Sequence, residues 1–359
     1  MSKSHKKVSK VSSKESKKES TKESSKESKL VKSELKKSSK SDKKDNKILE
    51  IKTTQTGPLK QVIERISNVI SDCCIVFIPP DNDDEDPSED DDYLEDEDSD
   101  SDDSSNKNSK KKSKKKSSKK NSKSNGKKKN PGGIRILRLT EDKSILIKIV
   151  LNACNFEYFR CDEPKITIGV DMHILHGLLK MINDDDPIIL YMKRDCRSTL
   201  YIKSSNENNG NDNSEETEIE LSLMEIPNPE MPVPTTQFQN KITMKSDKFH
   251  NICKYLNNNS TFVEIKSINN EIIFVGKNEG GKVTMSCRDT EYNFKDKDPN
   301  QVVQGMYELR NLLGFSKCNK LCNTIELYLK NDFPLVLVIS VATLGKMYVF
   351  LSPIDNGDN

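Results

Sequence analysis

The stretch that most constrains the fold lies near the middle of the chain and places four prolines within ten residues, Glu225-Ile226-Pro227-Asn228-Pro229-Glu230-Met231-Pro232-Val233-Pro234. Proline has no N–H to donate and fixes its own φ, so this stretch favours an extended linker over a central strand. We therefore predict two folded domains, residues 47–222 and 238–355, joined by a linker over residues 223–237. The apolar linker side chains, Ile226, Met231 and Val233, are suited to docking peptides.

Two polar segments are predicted to be disordered. Residues 1–46 are dominated by Lys, Ser, Glu and Asp, and residues 81–130 consist of an acidic block followed by a Lys/Ser block. Such compositions bury too little apolar surface to offset the entropy of ordering the chain. Without the arm and the insertion, roughly 260 residues remain, a length that suits two compact domains.

The net charge and the cysteine spacing limit the functions that the chain could have. The chain has 59 Lys plus Arg against 57 Asp plus Glu, so any contact with DNA must come from the placement of charge. Nine scattered cysteines without paired C-x-x-C spacing favour reduced thiols inside a cell. No apolar run reaches the roughly 18 residues that a membrane span needs, which predicts a soluble protein.

Four segments show the apolar periodicity of amphipathic helices, at residues 57–71, 171–182, 246–256 and 307–317. Each has an apolar face and a polar stripe, and Asp171 is a predicted N-cap. Short alternating or apolar runs between them predict strands at residues 48–52, 73–78, 134–139, 146–151, 188–192, 200–203, 218–224, 241–244, 262–268, 271–275, 281–286, 324–328, 335–340 and 346–351.

The order of these elements indicates an internal duplication. Matching the first helix of each half pairs Leu59 with Phe249, an offset of 190, and matching the second pairs Leu175 with Leu309, an offset of 134. The difference, 190 − 134 = 56, is close to the length of the polar insertion. Two copies of one domain, the first carrying an insertion, fit this spacing.

Several motifs resemble one known family. The segment Phe156-Glu157-Tyr158-Phe159-Arg160-Cys161-Asp162 is similar to the FxxYRCD motif of the proliferating cell nuclear antigen family of sliding clamps, with Phe159 in place of the usual Tyr. Further matches in the same order are Gly169-Val170, Leu223-Met224-Glu225, Phe249-x-x-Ile252-Cys253-x-x-Leu256, Asp332-Phe333-Pro334-Leu335-Val336 and Tyr348-Val349-Phe350-Leu351-Ser352-Pro353. The resemblance extends from residue 47 to residue 354 outside the insertion.

The resemblance implies an α+β DNA-clamp fold. In that fold each of two repeated domains supplies two helices to the inner face of a ring and antiparallel sheets to the outside. A homotrimeric ring would enclose double-stranded DNA without reading its sequence, as a non-enzymatic processivity factor for DNA polymerase in replication and repair. The family's basic inner-helix positions correspond to Lys60, Lys180, Lys254, Arg310 and Lys317. Arg65, Lys245 and Lys248 are further candidates from helical phase, whereas Ser67, Gly177 and Asn251 stand where clamps often carry a basic residue.

The family also implies a pocket for partner proteins. Clamp partners, among them polymerases and the clamp loader, insert a Q-x-x-aliphatic-x-x-aromatic-aromatic motif beneath the linker. The matching positions are Leu139, Leu146, Met231, Val233, Pro334, Phe350, Pro353 and Ile354. Burial of the partner's aromatic pair would anchor the complex.

Other functions remain open at this stage. Checkpoint-type clamps are heterotrimers, some viral processivity factors do not close a ring, and the Lys-rich segments alone suit a disordered nucleic-acid-binding protein. His173 and His176 lack an evident third ligand, so we predict no metal, no cofactor and no enzymatic activity. The expected location is an intracellular site of DNA replication, either the nucleus or a viral replication compartment, and the Lys, Asn and Ile content suits a large DNA virus or a protist.

Overall fold

The computed structural model describes residues 46–81, 130–205, 216–227, 233, 236, 238, 240–269, 271–288, 290–293, 302–318 and 320–354. Within these ranges, the residues from Lys47 onward form one compact unit. The predicted disordered arm and insertion lie outside the described residues, apart from Asn46, Asp81 and Asn130. The Asp81 N–H donates to Asn130 O at 3.2 Å, and the Asn130 N–H donates to Asp81 Oδ2 at 2.8 Å. The two ends of the insertion therefore lie side by side.

Four helices occur where the periodicity predicts them, with ends that differ by a few residues. They are α1 (Thr56–Ser67), α2 (Met172–Leu179), α3 (Ser246–Asn257) and α4 (Leu309–Ser316), and a short 3-10 helix spans Ala153–Asn155. The predicted N-cap of α2 is confirmed, since Asp171 accepts hydrogen bonds from the backbone N–H groups of His173 and Ile174, both at 2.9 Å. A capping carboxylate stabilises the first turn by satisfying amides that have no helical partner.

Eighteen strands occur within the described ranges. They are β1 (Lys47–Thr53), β2 (Asp72–Ile78), β3 (Gly133–Leu139), β4 (Ile145–Leu151), β5 (Tyr158–Cys161), β6 (Ile166–Asp171), β7 (Ile188–Lys193), β8 (Cys196–Ser205), β9 (Glu216–Ser222), β10 (Asn240–Lys245), β11 (Phe262–Ile268), β12 (Glu271–Asn278), β13 (Gly281–Cys287), β14 (Glu291–Asn293), β15 (Val303–Glu308), β16 (Thr324–Leu329), β17 (Leu335–Val341) and β18 (Gly345–Leu351). The sequence prediction missed β5, β6, β14 and β15. Each of these four pairs with another strand on one side only and lies at the end of its sheet, where apolar alternation is weak.

The strands form three antiparallel sheets. Their strand orders are β5-β1-β7-β8-β9, β14-β10-β16-β17-β18-β4-β3-β2-β6 and β13-β12-β11-β15. The nine-stranded sheet contains strands from both halves, which meet where β18 pairs with β4 from Gly345↔Leu151 to Leu351↔Ile145. The backbones approach so closely at this join that a Cβ on Gly345 would lie 2.0 Å from Val150 O. The two halves are thus continuous through one sheet.

The predicted duplication is visible in the order of elements. The series β1-α1-β2-β3-β4-β5-β6-α2-β7-β8-β9 recurs as β10-α3-β11-β12-β13-β14-β15-α4-β16-β17-β18. The starts of α1 and α3, Thr56 and Ser246, give the predicted offset of 190, but the starts of α2 and α4, Met172 and Leu309, give 137. The predicted pairing of Leu175 with Leu309 was wrong by one helical turn, because the apolar residues of a helix repeat every three to four positions.

One large core lies between the helices and the sheets. The apolar faces of all four helices contribute to it, as do alternate residues of the strands, such as Met347, Val349 and Leu351 of β18. The intervening β18 residues, Tyr348 and Phe350, belong to a second apolar cluster on the opposite face of the sheet. We call the sheet face that carries this second cluster the outer face and the solvent side of the helices the helical face.

Candidate nucleic-acid interface and docking surface

The helical face carries the basic residues that the sequence singles out. Lys180, Lys254 and Lys317 have exposed side chains at the ends of α2, α3 and α4. Lys245 is also exposed and precedes α3, whereas Lys248 in its first turn is partly buried. Arg310 of α4 keeps 73% of its side chain exposed and pairs with Glu308, with 2.9 Å between Nε and Oε1. Exposed lysines of this kind suit phosphate contacts that do not read bases.

Two of the predicted basic residues are less accessible than the helical phase suggests. The side chains of Lys60 and Arg65 in α1 are only 16% and 13% exposed. Lys60 Nζ lies 2.5 Å from Asp184 Oδ1 and donates to Ile182 O at 2.5 Å, so the loop after α2 covers it. Both side chains are therefore largely covered, and the spacing of α1 alone does not reveal that the loop after α2 packs over Lys60.

Two histidines on the helical face have lowered pKa values. Burial lowers the pKa of His176, and nearby Lys180 lowers it further. Burial also lowers the pKa of His250, followed by Lys254 and Lys317. Arg65 of α1 contributes in the same direction to both histidines, so positive charge from α1 reaches α2 and α3. Basic residues of the helical face thus add to the effect of burial on both histidines, while Glu64 and Asp247 oppose it.

The same histidines join the helices of each half. His250 Nδ1 of α3 lies 2.9 Å from Ser316 Oγ of α4, and His176 Nδ1 of α2 lies 3.4 Å from Ser67 Oγ of α1. Each pair therefore links the two helices of one half, with the roles of histidine and serine exchanged between the halves.

Three apolar side chains on the helical side were not anticipated from the sequence. Ile174 and Met181, at and just after α2, are 54% and 63% exposed, and Tyr255 of α3 is 57% exposed. Their sequence positions fall between the apolar positions that face the core, which is the signal that could have found them. The helical face is thus basic without being uniformly polar.

The outer face carries the second apolar cluster, formed by Val150, Tyr328, Val336, Val338, Tyr348 and Phe350. Leu146, Val233 and Phe238 pack against it. The Phe238 ring lies 5.5 Å from the Tyr328 ring and 5.4 Å from the Phe333 ring, in edge-to-face geometry. Val233 in the linker and Phe238 just after it therefore cover part of an apolar sheet surface. Edge-to-face contacts between aromatic rings add stability beyond the burial of area.

Basic side chains border this cluster. Lys241 Nζ lies 5.3 Å from the centre of the Tyr328 ring and 3.2 Å from Glu326 Oε2, and Lys148 Nζ lies 5.4 Å from the centre of the Tyr348 ring. Apolar centres with polar rims are typical of protein docking surfaces.

Three of the predicted pocket residues, Leu146, Val233 and Phe350, belong to this cluster or pack against it. Leu139, Leu146 and Phe350 form one cross-strand row, since Leu139 pairs with Leu146 and Leu146 with Phe350. Pro334 precedes β17, Pro353 follows β18, and the Ile354 N–H donates to Met306 O at 2.8 Å. Met231 lies outside the described residues. The sequence prediction missed Phe238, Tyr328, Val336, Val338 and Tyr348, although the unbroken apolar run of β17 is typical of a strand buried on both faces.

Among the strands that lie at sheet ends in the part of the chain that the structure describes, β9 and β13 each have one unpaired edge. β9 pairs only with β8, and β13 pairs only with β12. β9 carries Glu216, Glu218 and Glu220, all exposed, and β13 carries the exposed Lys282. Val283 of β13 is 39% exposed. Unpaired edges with exposed apolar side chains invite pairing with another strand.

Features of other function classes are sparse in the described ranges. No three His, Cys, Asp or Glu side chains gather there in a way suited to a metal ion, and His173 and His176 gain no third ligand. No helix in those ranges combines the length and apolar character of a membrane span.

Comparisons with known proteins match both halves. Residues 124–229 match the family model for the N-terminal domain of proliferating cell nuclear antigen, and residues 232–354 match the model for its C-terminal domain. The chain is 64% identical over 314 residues to a protein of Acanthamoeba polyphaga mimivirus named "Probable DNA polymerase sliding clamp". That alignment covers 88% of this chain and 64% of the mimivirus protein, so this chain spans less than two thirds of the relative's length.

Two more distant relatives are also viral. An uncharacterised mimivirus protein is 28% identical over 231 residues, covering 63% of this chain and 68% of the relative. "Probable DNA polymerase sliding clamp 1" of Paramecium bursaria Chlorella virus 1 is 25% identical over 242 residues, covering 62% of this chain and 85% of the relative.

Proposed function

Because the chain belongs to the proliferating cell nuclear antigen family, we propose that it is one subunit of a DNA polymerase sliding clamp. Its α+β clamp fold has the two-domain organisation of that family. In the proposed assembly three copies join head to tail into a ring around duplex DNA. The ring tethers polymerase and other replication proteins to the template without performing chemistry on it.

The observation that carries the proposal is the relation between two sheet-end strands, β9 and β13, and the join inside the chain. In the duplication, β9 is the counterpart of β18 and β13 is the counterpart of β4. Inside the chain, β18 and β4 pair with each other. A pairing of β9 in one copy with β13 in the next would repeat this join between chains, and such a head-to-tail contact closes into a ring when its rotation allows.

The duplication also predicts the register of this contact. The row Tyr191↔Tyr201↔Glu220 matches the row Tyr328↔Val336↔Phe350, with Tyr191 and Tyr328 separated by the same offset of 137 as α2 and α4. Phe350 therefore corresponds to Glu220. Other residues of β18 correspond in the same way to residues of β9 that lie 130 positions earlier.

The other side of the contact follows from a second pair of rows. Ile75↔Ile136↔Ile149 matches Ile265↔Phe274↔Met285, with Ile75 and Ile265 separated by the offset of 190 that relates α1 to α3. Residues of β4 therefore correspond to residues of β13 that lie 136 positions later.

Applying the two offsets to the residue pairs between β18 and β4 predicts the pairs between β9 of one copy and β13 of the next. The pair Phe350↔Leu146 becomes Glu220 opposite Lys282 of the next copy, and Val349↔Ile147 becomes Ile219 opposite Val283. The first pair is of opposite charge and the second is apolar, and both kinds stabilise neighbouring strands. Ile147 is fully buried at the internal join, whereas its counterpart Val283 is 39% exposed in the single chain. The proposed contact with the next copy would bury Val283.

The proposed DNA contacts come from the helical face. Lys180, Lys254 and Lys317 are the strongest candidates because their side chains are exposed, followed by Lys245, Lys248 and Arg310. Lys60 and Arg65 would contribute mainly by long-range electrostatic attraction of DNA, since their side chains are only 16% and 13% exposed. Such contacts neutralise phosphates and leave a ring free to slide.

The proposed partner site is the outer-face cluster with the linker beside it. Leu146 and Phe350 supply apolar surface, and Val233 and Phe238 pack against it. The family resemblance adds Pro353 and Ile354, which follow β18. Polymerases, a clamp loader and other proteins with the Q-x-x-aliphatic-x-x-aromatic-aromatic motif would bury their aromatic pair here. The finer location of the activity, which we propose to be a viral replication compartment, rests on the viral source of the relatives.

Glu220 and Lys282 have opposite charges and both belong to this chain. This favours a ring of identical subunits over a heterotrimer of the checkpoint type. A chain that carries both members of the pair needs no second kind of subunit to satisfy them. Light scattering of the purified protein tests this, with a mass near three times 40.8 kDa expected for the homotrimer.

A topological experiment tests the proposed function. The protein is incubated with linear duplex DNA biotinylated at both ends, streptavidin is added to block the ends, and the complexes are washed in about 1 M salt, which strips electrostatic binding. We expect retention on end-blocked DNA and rapid loss from the same DNA with open ends. Equal loss from both templates would contradict enclosure and favour a processivity factor that binds from one side.

A substitution in the partner site tests docking. Ile354→Asp is expected to weaken binding of a fluorescent peptide with the Q-x-x-aliphatic-x-x-aromatic-aromatic motif by about thirtyfold, because a charge replaces a pocket side chain of hot-spot size, worth about 2 kcal/mol. Fluorescence anisotropy measures the dissociation constant. Ile174→Asp, the same change on the helical face, should leave the peptide's affinity within about twofold, and an equal loss in both variants would remove the outer-face site.

A further inference from the structure

Two cysteines that the clamp function does not use lie together where α4 leads into β16. The Cys322 N–H donates to Cys318 O at 3.1 Å, closing a single turn between the two residues. Cys318 is fully buried in the core, whereas Cys322 is partly exposed. In a helical turn, residues four apart have Cα atoms roughly 6 Å apart. That separation lies within the range that a disulfide bridges.

The sulfur of Cys322 borders an open cavity. The cavity has a volume of about 290 Å³ and is lined by Lys245, Ser246, Asp247, Cys322, Asn323 and Thr324. Ser246 is the first residue of α3, and its Oγ lies 3.6 Å from Cys322 Sγ. α3 has no side-chain cap at its N-terminus. Cys322 is thus partly exposed at this cavity, beside the positive end of a helix dipole, which stabilises an anion.

Hydrogen-bonding groups surround this sulfur, whose S–H donates to Cys318 O at 3.8 Å. The hydrogen bond with Cys318 is the largest influence and lowers the pKa of Cys322, and Ser246 and the backbones of Ser340 and Thr324 lower it further, to about 7 despite burial. The same hydrogen bond and burial raise the pKa of Cys318. Cys322 is thus the member of the pair that loses its proton more readily.

We propose that Cys322 and Cys318 form an oxidant-sensitive dithiol, in which Cys322 is the nucleophile exposed to the cavity and Cys318 is the resolving cysteine behind it. The oxidant is a hydroperoxide, small enough to enter the cavity. This assignment does not depend on ring formation or on DNA binding, because every group that carries it belongs to one chain.

The chemistry balances with peroxide as the electron acceptor. The Cys322 thiolate attacks one oxygen of hydrogen peroxide, the O–O bond breaks, and hydroxide leaves as Cys322 becomes a sulfenic acid. The Cys318 thiol then attacks the Cys322 sulfur, the S–O bond breaks, and the hydroxyl group leaves as water with the Cys318 proton. The two sulfurs lose two electrons in total, and peroxide is reduced to two molecules of water.

Tryptic cleavage offers a direct test on the full-length protein. Cleavage after Lys317, Lys320 and Lys330 separates the peptide 318–320 from the peptide 321–330. After brief treatment with hydrogen peroxide at pH 7, alkylation of free thiols and digestion without reductant, mass spectrometry should find these two peptides joined and lighter by two hydrogens. Addition of dithiothreitol should separate them. Recovery of both as alkylated monothiols, under peroxide that oxidises the exposed Cys154, would overturn the proposal.

Two variants separate the roles of the two cysteines. Cys318→Ser should stop the reaction at the sulfenic acid, so that dimedone labels Cys322, and Cys322→Ser should leave Cys318 unlabelled because it is buried. In the unmodified protein, alkylation of Cys322 should be roughly threefold faster at pH 7 than that of an ordinary thiol with pKa about 8.5, since the larger thiolate fraction outweighs its lower intrinsic nucleophilicity. A rate at or below that of the ordinary thiol would contradict the nucleophile's role, even if either variant misfolds.

Discussion

Glu220→Lys is expected to convert the ring into single chains, and adding Lys282→Glu to the same chain is expected to restore it. The single variant places two lysines opposite each other at every junction between subunits, whereas the double variant recreates an opposite-charge pair with the signs exchanged. A change of about 1 kcal/mol at each of three junctions lowers the assembly constant by about a hundredfold. Light scattering across a dilution series measures the shift from trimer to monomer.

Glu216→Lys is the matched control for this experiment. Glu216 lies on the same strand and the same face as Glu220, but the proposed register places Ser286 opposite it. The change removes an exposed ion pair with Lys203 inside the chain, which contributes little. The control should therefore remain a trimer at concentrations where Glu220→Lys dissociates. Equal dissociation of both variants, or no rescue by the exchange, would refute the proposed register.

Replacing Lys180, Lys254 and Lys317 together by alanine is expected to weaken binding to duplex DNA by about a hundredfold at physiological salt. If about three phosphate contacts per ring are lost, the slope of log K against log salt decreases by about 2.7, and this contribution at 0.15 M amounts to roughly two orders of magnitude. Titration of labelled duplex at several salt concentrations measures both quantities. The effect should be independent of DNA sequence, because no base is read.

The control replaces three exposed lysines outside the helices, Lys52, Lys165 and Lys277, and changes the net charge equally. Its affinity should fall by no more than a few-fold, since those lysines lie on strands or loops. Similar losses in both triple variants would mean that overall charge, rather than the helical face, determines DNA binding.

The sequence predicted the positions of the helices and strands better than the contacts of their side chains. The strand at residues 262–268 has its predicted limits, and α3 differs by one residue, because strong apolar periodicity and a uniform face define both. β5 contains part of the FEYFRCD segment and was still missed, since a four-residue strand at a sheet end has too few positions to show a period. The domain limits at residues 222, 238 and 355 stay predictions.

The candidate sites divide in the same way. Helical phase correctly identified Lys180 and Lys254 as exposed, because a residue opposite the core faces solvent unless something else covers it. Lys60 illustrates the exception, as its cover comes from Asp184, 124 positions away in the chain. Phe238 could not be assigned to the outer-face cluster from sequence, since its neighbours belong to strands β16 and β17 and to the segment between them. Long-range contacts of this kind depend on topology, which local patterns do not encode.

The duplicated join has a consequence for how such a ring would open. Within a chain, the junction of β18 with β4 is reinforced by the covalent linker and by apolar packing on both faces of the sheet, including Leu146 and Phe350. At the junction between copies, these two positions become a solvent-facing ion pair, and no peptide bond spans the gap. A clamp loader acting on the proposed ring would therefore separate it at a boundary between subunits, while each subunit stays intact.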